Sequence, residues 1–185
     1  MLRTLVALLL ALAMSPALAL EVGGVKLDDK STVGGQELVL NGAGIRKKLF
    51  ISVYVGSLYV PAKATTAAAV YAKSPRRVQL NMLRDVGADQ MIEALDDGVK
   101  QANPAADVAA VKAQSDQLAS ILKAAGQLKE GNVLAFDFAD GATKVLLNGT
   151  AKGSIPGEAF NKALMNAWLG ESPVQADLKK AMLGG

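Results

Sequence analysis

The sequence predicts an α+β domain: a largely antiparallel β-sheet with helices layered on one face. Three observations carry this. Strand-like stretches fill the first half of the chain and return over residues 132–155. Helical stretches fall between and after them. Tight-turn dipeptides such as Asp140-Gly141 join neighbouring strands, which makes those neighbours antiparallel.

The chain of 185 residues opens with Arg3 ahead of an apolar run, Leu5 to Ala13. That run is shorter than the ~20 residues a membrane-crossing helix needs. Ala17-Leu18-Ala19 suits a small-x-small cleavage site. Residues 1–19 therefore read as a signal peptide cleaved after Ala19, and residues 20–185 as one exported domain; the short Ala/Leu-rich leader looks bacterial, so the expected location is the periplasm. The competing reading, a retained anchor, is disfavoured by the short core and the cleavage site. No stable membrane insertion is expected after cleavage.

The elements follow in order. Glu21 to Leu27 reads as a short strand around Gly23-Gly24, and Asp28 to Gly35 as a loop. Glu37 to Leu40 is a strand that Asn41-Gly42 turns into a long extended stretch from Ile45 to Val60, closed by Pro61. Thr65 or Thr66 caps a short helix, Ala67 to Ala72, which Ser74-Pro75 ends. Arg76 to Leu83 is a strand with Val78, Leu80 and Met82 on one face and Arg77, Gln79 and Asn81 on the other. A helix from Ala88 to about Gln101 carries the apolar stripe Met91, Ile92, Leu95 and Val99. Asn103-Pro104 starts a further helix that runs to about Ala125 before Gly126. Two strands, Asn132 to Ala139 and Thr143 to Leu147, form a hairpin, and Ala151 to Ile155 extends it. A helix from Gly157 to Leu169 places Phe160, Leu164 and Trp168 at four-residue spacing. Ser172-Pro173-Val174-Gln175 then reads as a capping box opening the last helix.

Composition removes several kinds of chemistry. The chain has no Cys and no His. Thiol nucleophiles, His-based triads and the usual zinc or copper sites are excluded together. Gly42-x-Gly44 lacks a third glycine and opens a strand, so it is no dinucleotide fingerprint. Glu93, Asp96 and Asp97 read as solvated helix surface. No cofactor is implied. The net charge of +3 is mild, and the basic groups Arg46-Lys47-Lys48, Arg76-Arg77 and Lys179-Lys180 lack aromatic interleaving. Nucleic acid is therefore not an expected partner.

The stretch from Leu38 to Pro61 carries the site. Strand alternation puts Arg46, Phe50, Ser52 and Tyr54 on one face and Ile45, Leu49, Ile51, Val53 and Val55 on the other. A face mixing Arg, Phe and Tyr suits a mostly apolar pocket with one fixed cation; the plainer reading is a surface Arg beside a core Phe.

Gly42-Ala43-Gly44-Ile45-Arg46, followed by a strand holding Tyr54-Val55-Gly56-Ser57-Leu58-Tyr59, resembles the chalcone isomerase-like family. The resemblance implies that family's open-faced β-sandwich, with a ligand cleft between sheet and helices. It aligns Arg46 with the Arg that stabilises the substrate phenolate in the isomerases. It puts Tyr54 where those enzymes have a Thr, and Asn81 where they have a Lys. Gln90 or Met91 stands at the catalytic Tyr, and Asp97 or Gly98 at the catalytic Asn. The anion anchor is kept and the rest of the catalytic set is not. This resembles the branch that binds fatty acids through the Arg and a Tyr. The expected ligand site is Arg46, Phe50, Tyr54, Asn81 and Met91, with no catalytic residue assigned and a small amphiphilic or aromatic molecule as partner. An isomerase acting on a chalcone-like enone or phenol is the alternative, and an interaction protein with a vestigial cleft a third.

Overall fold

The computed structural model describes residues 20–185. The expected signal peptide lies outside the described residues. The elements are β1 (Leu20–Val22), β2 (Val25–Leu27), β3 (Lys30–Val33), β4 (Gln36–Lys48), β5 (Ile51–Val60), α1 (Ala67–Tyr71), β6 (Arg76–Met82), α2 (Ala88–Ala102), α3 (Ala105–Ala110), α4 (Lys112–Ala125), β7 (Val133–Ala139), β8 (Ala142–Leu147), β9 (Thr150–Pro156), α5 (Glu158–Leu169) and α6 (Ala176–Met182). Strands β3 to β9 form one seven-stranded sheet in chain order, and every neighbouring pair is antiparallel. The fold is the expected α+β arrangement.

Alternation along the strands sorts side chains into two cores. Val78, Leu80 and Met82 of β6 face the helices, where they meet Leu134, Phe136, Met91, Leu95, Phe160, Leu164 and Trp168. The opposite face is smaller: Leu38, Leu40, Val55 and Tyr59 are covered by Leu27 and Val33, with Val22 and Val25 packed alongside. Helix α5 is buried on more than its predicted stripe, because Ala163, Met165 and Ala167 are also enclosed. At Asp140-Gly141 and Asn148-Gly149 both residues of each turn have positive φ, the geometry that two-residue hairpins favour. Thr66 caps α1, its hydroxyl accepting from the Ala69 N–H at 3.2 Å.

The first part of the chain departs most from the sequence reading. The stretch taken as one strand around Gly23-Gly24 is a hairpin, β1 with β2, and the expected loop before Gly35 contains β3. Asn41-Gly42 makes no turn; β4 runs straight through it, with a register shift between Leu40 and Gly42 that leaves Asn41 as the extra residue of a bulge. The buried Asn41 amide donates to Ala64 O and Met182 O, both at 2.8 Å, and its Oδ1 accepts from the Ala64 N–H at 2.7 Å. Those partners hold it in the strand. The turn comes instead at Leu49-Phe50, between the paired Lys48 and Ile51. The extended stretch from Ile45 to Val60 is therefore two strands folded back on each other.

Two helix boundaries also differ. The helix expected from Asn103 to about Ala125 is divided at Val111, whose side chain is buried at the corner between α3 and α4. The predicted capping box before α6 is absent: Gln175 is the N-cap residue, and its side chain binds β4 rather than its own helix.

Candidate functional site

The helix-facing side of β4 presents Gly42, Gly44 and Arg46 in succession. A Cβ on Gly42 would stand 2.1 Å from Ala181 O, and one on Gly44 would stand 2.8 Å from the Ala181 Cβ. Only glycine lets α6 lie this close to the strand. Docking of α6 brings Gln175 to the place where β4 and β5 slip register, between Arg46 and Lys47. There the Gln175 amide donates to Ile45 O at 3.0 Å, and its Oε1 accepts from the Lys47 N–H at 2.8 Å and from Arg46 Nη1 at 3.4 Å. Arg46 Nη1 also donates to Lys47 O. Among the described residues no carboxylate pairs with Arg46, so its charge is held in place by neutral groups.

Arg46 stands opposite Tyr54 across the hairpin. Eight positions of separation in sequence become a cross-strand pair, the arrangement in which side chains on adjacent strands touch. Val53 is the extra residue of the second bulge and packs with Tyr54 toward the helix-side core. Tyr54 is 8% exposed, and its oxygen accepts a hydrogen bond from Trp168 Nε1–H at 2.9 Å. Burial pushes the phenol pKa up; the Trp168 hydrogen bond and then the Arg46 charge oppose that shift without cancelling it. The phenol is therefore neutral at ordinary pH and keeps its proton. Indole nitrogen only donates, so the Tyr54 O–H remains free to donate in turn.

These groups line a cleft of about 500 Å³ between the β4–β5 hairpin, α2 and α5. Its apolar wall includes Val53, Met91, Leu95, Ala167 and Val174, and its rim carries Arg46, Lys48, Arg84, Asp85, Glu93 and Asp97. A larger groove of about 720 Å³ lies among α2, α3, α4 and α5. Its rim ions include two pairs that neutralise each other, Lys100 with Asp96 and Lys112 with Asp116. The smaller cleft is the better binding site because it combines an unpaired cation with a buried donor. Among the described residues no grouping of acids is placed to hold a metal.

Of the residues expected at the site, Arg46, Tyr54 and Met91 come together in the cleft. Phe50 does not: it sits at the hairpin turn, 97% exposed, because the turn breaks the alternation that would have aligned it with Arg46 and Tyr54. Asn81 does not either. It pairs with Val55, whereas Tyr54 pairs with Met82, so Asn81 lies on the opposite sheet face, where its Oδ1 accepts from Gln79 Nε2 at 3.0 Å. Gln90 and Asp97 line the cleft, while Gly98 is packed beneath Val174 and Ala167. Gln90 Oε1 is occupied by the Gly87 N–H at 3.2 Å. Asp97 and Glu93, read as plain helix surface, are exposed but belong to the cleft rim. Sequence reasoning missed Trp168 and Gln175. A single Trp on a buried helical stripe was a usable signal for the first; nothing local marks the second.

The model of the chalcone isomerase-like family matches residues 19–184. The chain belongs to that family. The family match spans nearly all of the described residues. Among solved structures, the crystal structure of a fatty-acid binding protein of Arabidopsis thaliana is similar, with a TM-score of 0.66 and 13% identity over 86% of this chain and 92% of that one. At that identity the likeness speaks for the fold. No curated protein matches the sequence.

Proposed function

We propose that this chalcone isomerase-like protein binds a long-chain fatty acid or similar amphiphilic carboxylate in the Arg46–Tyr54 cleft, without catalysing a reaction. The observation that carries this is the pairing of a guanidinium with a phenol where, among the described residues, the first has no acidic partner and the second has no acceptor for its proton. Arg46 offers a fork of donors to a carboxylate, and Tyr54 adds one more. The apolar wall takes the tail, at ~0.8 kcal/mol for each methylene buried. A cleft of about 500 Å³ falls within the usual range for such ligands. The fold shared with a fatty-acid binding protein supports the same reading. At the positions aligned with the isomerases' catalytic Tyr and Asn stand Gln90 or Met91 and Asp97 or Gly98, none of which supplies the missing group. The leader over residues 1–19 supports a periplasmic setting.

Isothermal titration with a saturated long-chain fatty acid and its methyl ester tests the proposal. The acid should bind and the ester should bind at least tenfold more weakly, because it offers Arg46 no anion. Equal affinity for both would remove the anion anchor. Saturable ring closure of a hydroxychalcone that is lost in Arg46→Ala would show an isomerase instead.

A further inference from the structure

We propose that the β4–β5 hairpin tip is a docking element for an anionic lipid bilayer. Leu49, Phe50 and Ile51 are consecutive and are 86%, 97% and 50% exposed. Among the described residues the only other large apolar side chain so exposed is Leu20, at the edge of the described chain. The turn puts Leu49 at φ 56°, a left-handed position that disfavours a branched side chain. Gly or Asn would suit that turn better and would expose no apolar surface. The tip thus presents hydrophobic surface where folding alone would favour the reverse.

Charge and shape identify the occupant. Residues 45–52 contain Arg46, Lys47 and Lys48 and no acid, and both lysines are exposed. A short apolar insertion flanked by cations is the pattern of an interfacial anchor on anionic headgroups. A protein partner is a poorer fit. Three side chains on one convex turn fall short of the roughly 800 Å² per partner that a stable protein interface covers. Lys48, Leu49 and Ile51 also line the cleft, so a tip seated in lipid sets the cleft mouth against the bilayer. Docking stands on the tip alone. Direct passage of a lipid ligand from bilayer to cleft would rest on the function proposed above, and the test reads docking only.

Residues 20–185 contain the whole sheet and both cores, so the test uses that domain; the apolar leader would bind vesicles by itself. Its sedimentation with vesicles of equimolar phosphatidylglycerol and phosphatidylcholine is compared with vesicles of phosphatidylcholine alone. Binding should be at least tenfold stronger on the anionic vesicles. Leu49→Ser with Phe50→Ser should weaken it at least tenfold, and each of Lys47→Gln and Lys48→Gln about fivefold. Circular dichroism should stay unchanged, since these side chains are exposed. Phe50→Trp should add emission that brominated lipid in the anionic vesicles quenches, while the buried Trp168 is untouched. Three results would overturn the proposal: no binding to anionic vesicles, binding that survives loss of the apolar tip, or self-association in sedimentation velocity that Phe50→Ser removes. The last would mean that the tip covers a second copy of the protein.

Discussion

Replacing Tyr54 with Phe removes one oxygen and separates two roles of the phenol. In the folded protein that oxygen is the acceptor for Trp168 Nε1–H at 2.9 Å, and Trp168 is 1% exposed. Without it the indole N–H is buried and unpaired. Leaving such a donor unsatisfied costs about 1–3 kcal/mol. For a domain of this size each kcal/mol lowers the melting temperature by roughly 2–4 °C. A loss near the middle of that range corresponds to a fall of about 4–8 °C. The same change removes a donor to a bound carboxylate, and a hydrogen bond to a charged group is worth about 1.5–3 kcal/mol, or about tenfold to a hundredfold in affinity. Thermal unfolding by circular dichroism reads the first effect, and isothermal titration with a long-chain carboxylate reads the second. Emission from Trp168, the sole Trp, should also shift on ligand addition to the wild-type protein. An unchanged melting temperature would show that the indole does not depend on Tyr54, and unchanged affinity would take the phenol out of the ligand site.

Other outcomes follow from the same structure. All three Tyr side chains have raised pKa values, led in each case by burial, with Tyr71 pushed up to about 12. Their neutral form is favoured by folding, so this stability is fully present below the unfolded value near 10.0 and is lost as pH rises through the raised folded values, which for Tyr71 means about 12. Tyrosinate absorbance should therefore stay low at pH 10.0 in the folded protein and rise on denaturation; half-ionised tyrosines in the native state at that pH would contradict it. Gly42→Ala should displace α6, because its Cβ would stand 2.1 Å from Ala181 O. A destabilisation of about 1–3 kcal/mol is expected from such overpacking, measured by urea unfolding, together with weaker ligand binding as Gln175 leaves Arg46. Wild-type stability would mean that α6 does not need that glycine.

The sheet and most helices were legible because their signals are local. Val78, Leu80 and Met82 alternate; Asp140-Gly141 turns a hairpin; Met91, Leu95 and Val99 stripe a helix. The hairpin at the site was not legible, since Leu49-Phe50 has none of the residues that usually mark a turn. Asn41-Gly42 misled for the converse reason. It has turn chemistry, but Asn41 spends its amide on Ala64 and Met182, distant in sequence, and Gly42 serves the approach of α6. Arg46 and Tyr54 were found by alternation and by resemblance, yet only the fold-back brings them together. Asn81 lies away from the cleft because β5 and β6 pair in unbroken register with Tyr54 opposite Met82, which leaves the neighbouring Asn81 on the other sheet face; counting by resemblance did not use that alternation. Arg76 shows a further limit. In sequence it is one of the small basic groups, beside Arg77, with nothing local to mark burial, but it is 1% exposed, donates to Asn161 Oδ1 at 2.9 Å and lies over the Phe138 ring.

The most direct measurement compares Arg46→Ala with wild type for both long-chain carboxylate affinity and melting temperature. Arg46 is half-buried and its bonds go to neutral acceptors, so truncation leaves no orphaned partner charge. Affinity should fall about tenfold to a hundredfold with the loss of a charged hydrogen-bonding fork, while the melting temperature moves by only a few degrees, about the weight of one exposed hydrogen bond. Arg46→Lys, which keeps the charge and loses the fork, should fall between the two. Undiminished affinity with a large drop in melting temperature would make Arg46 a structural residue and would contradict the anion anchor.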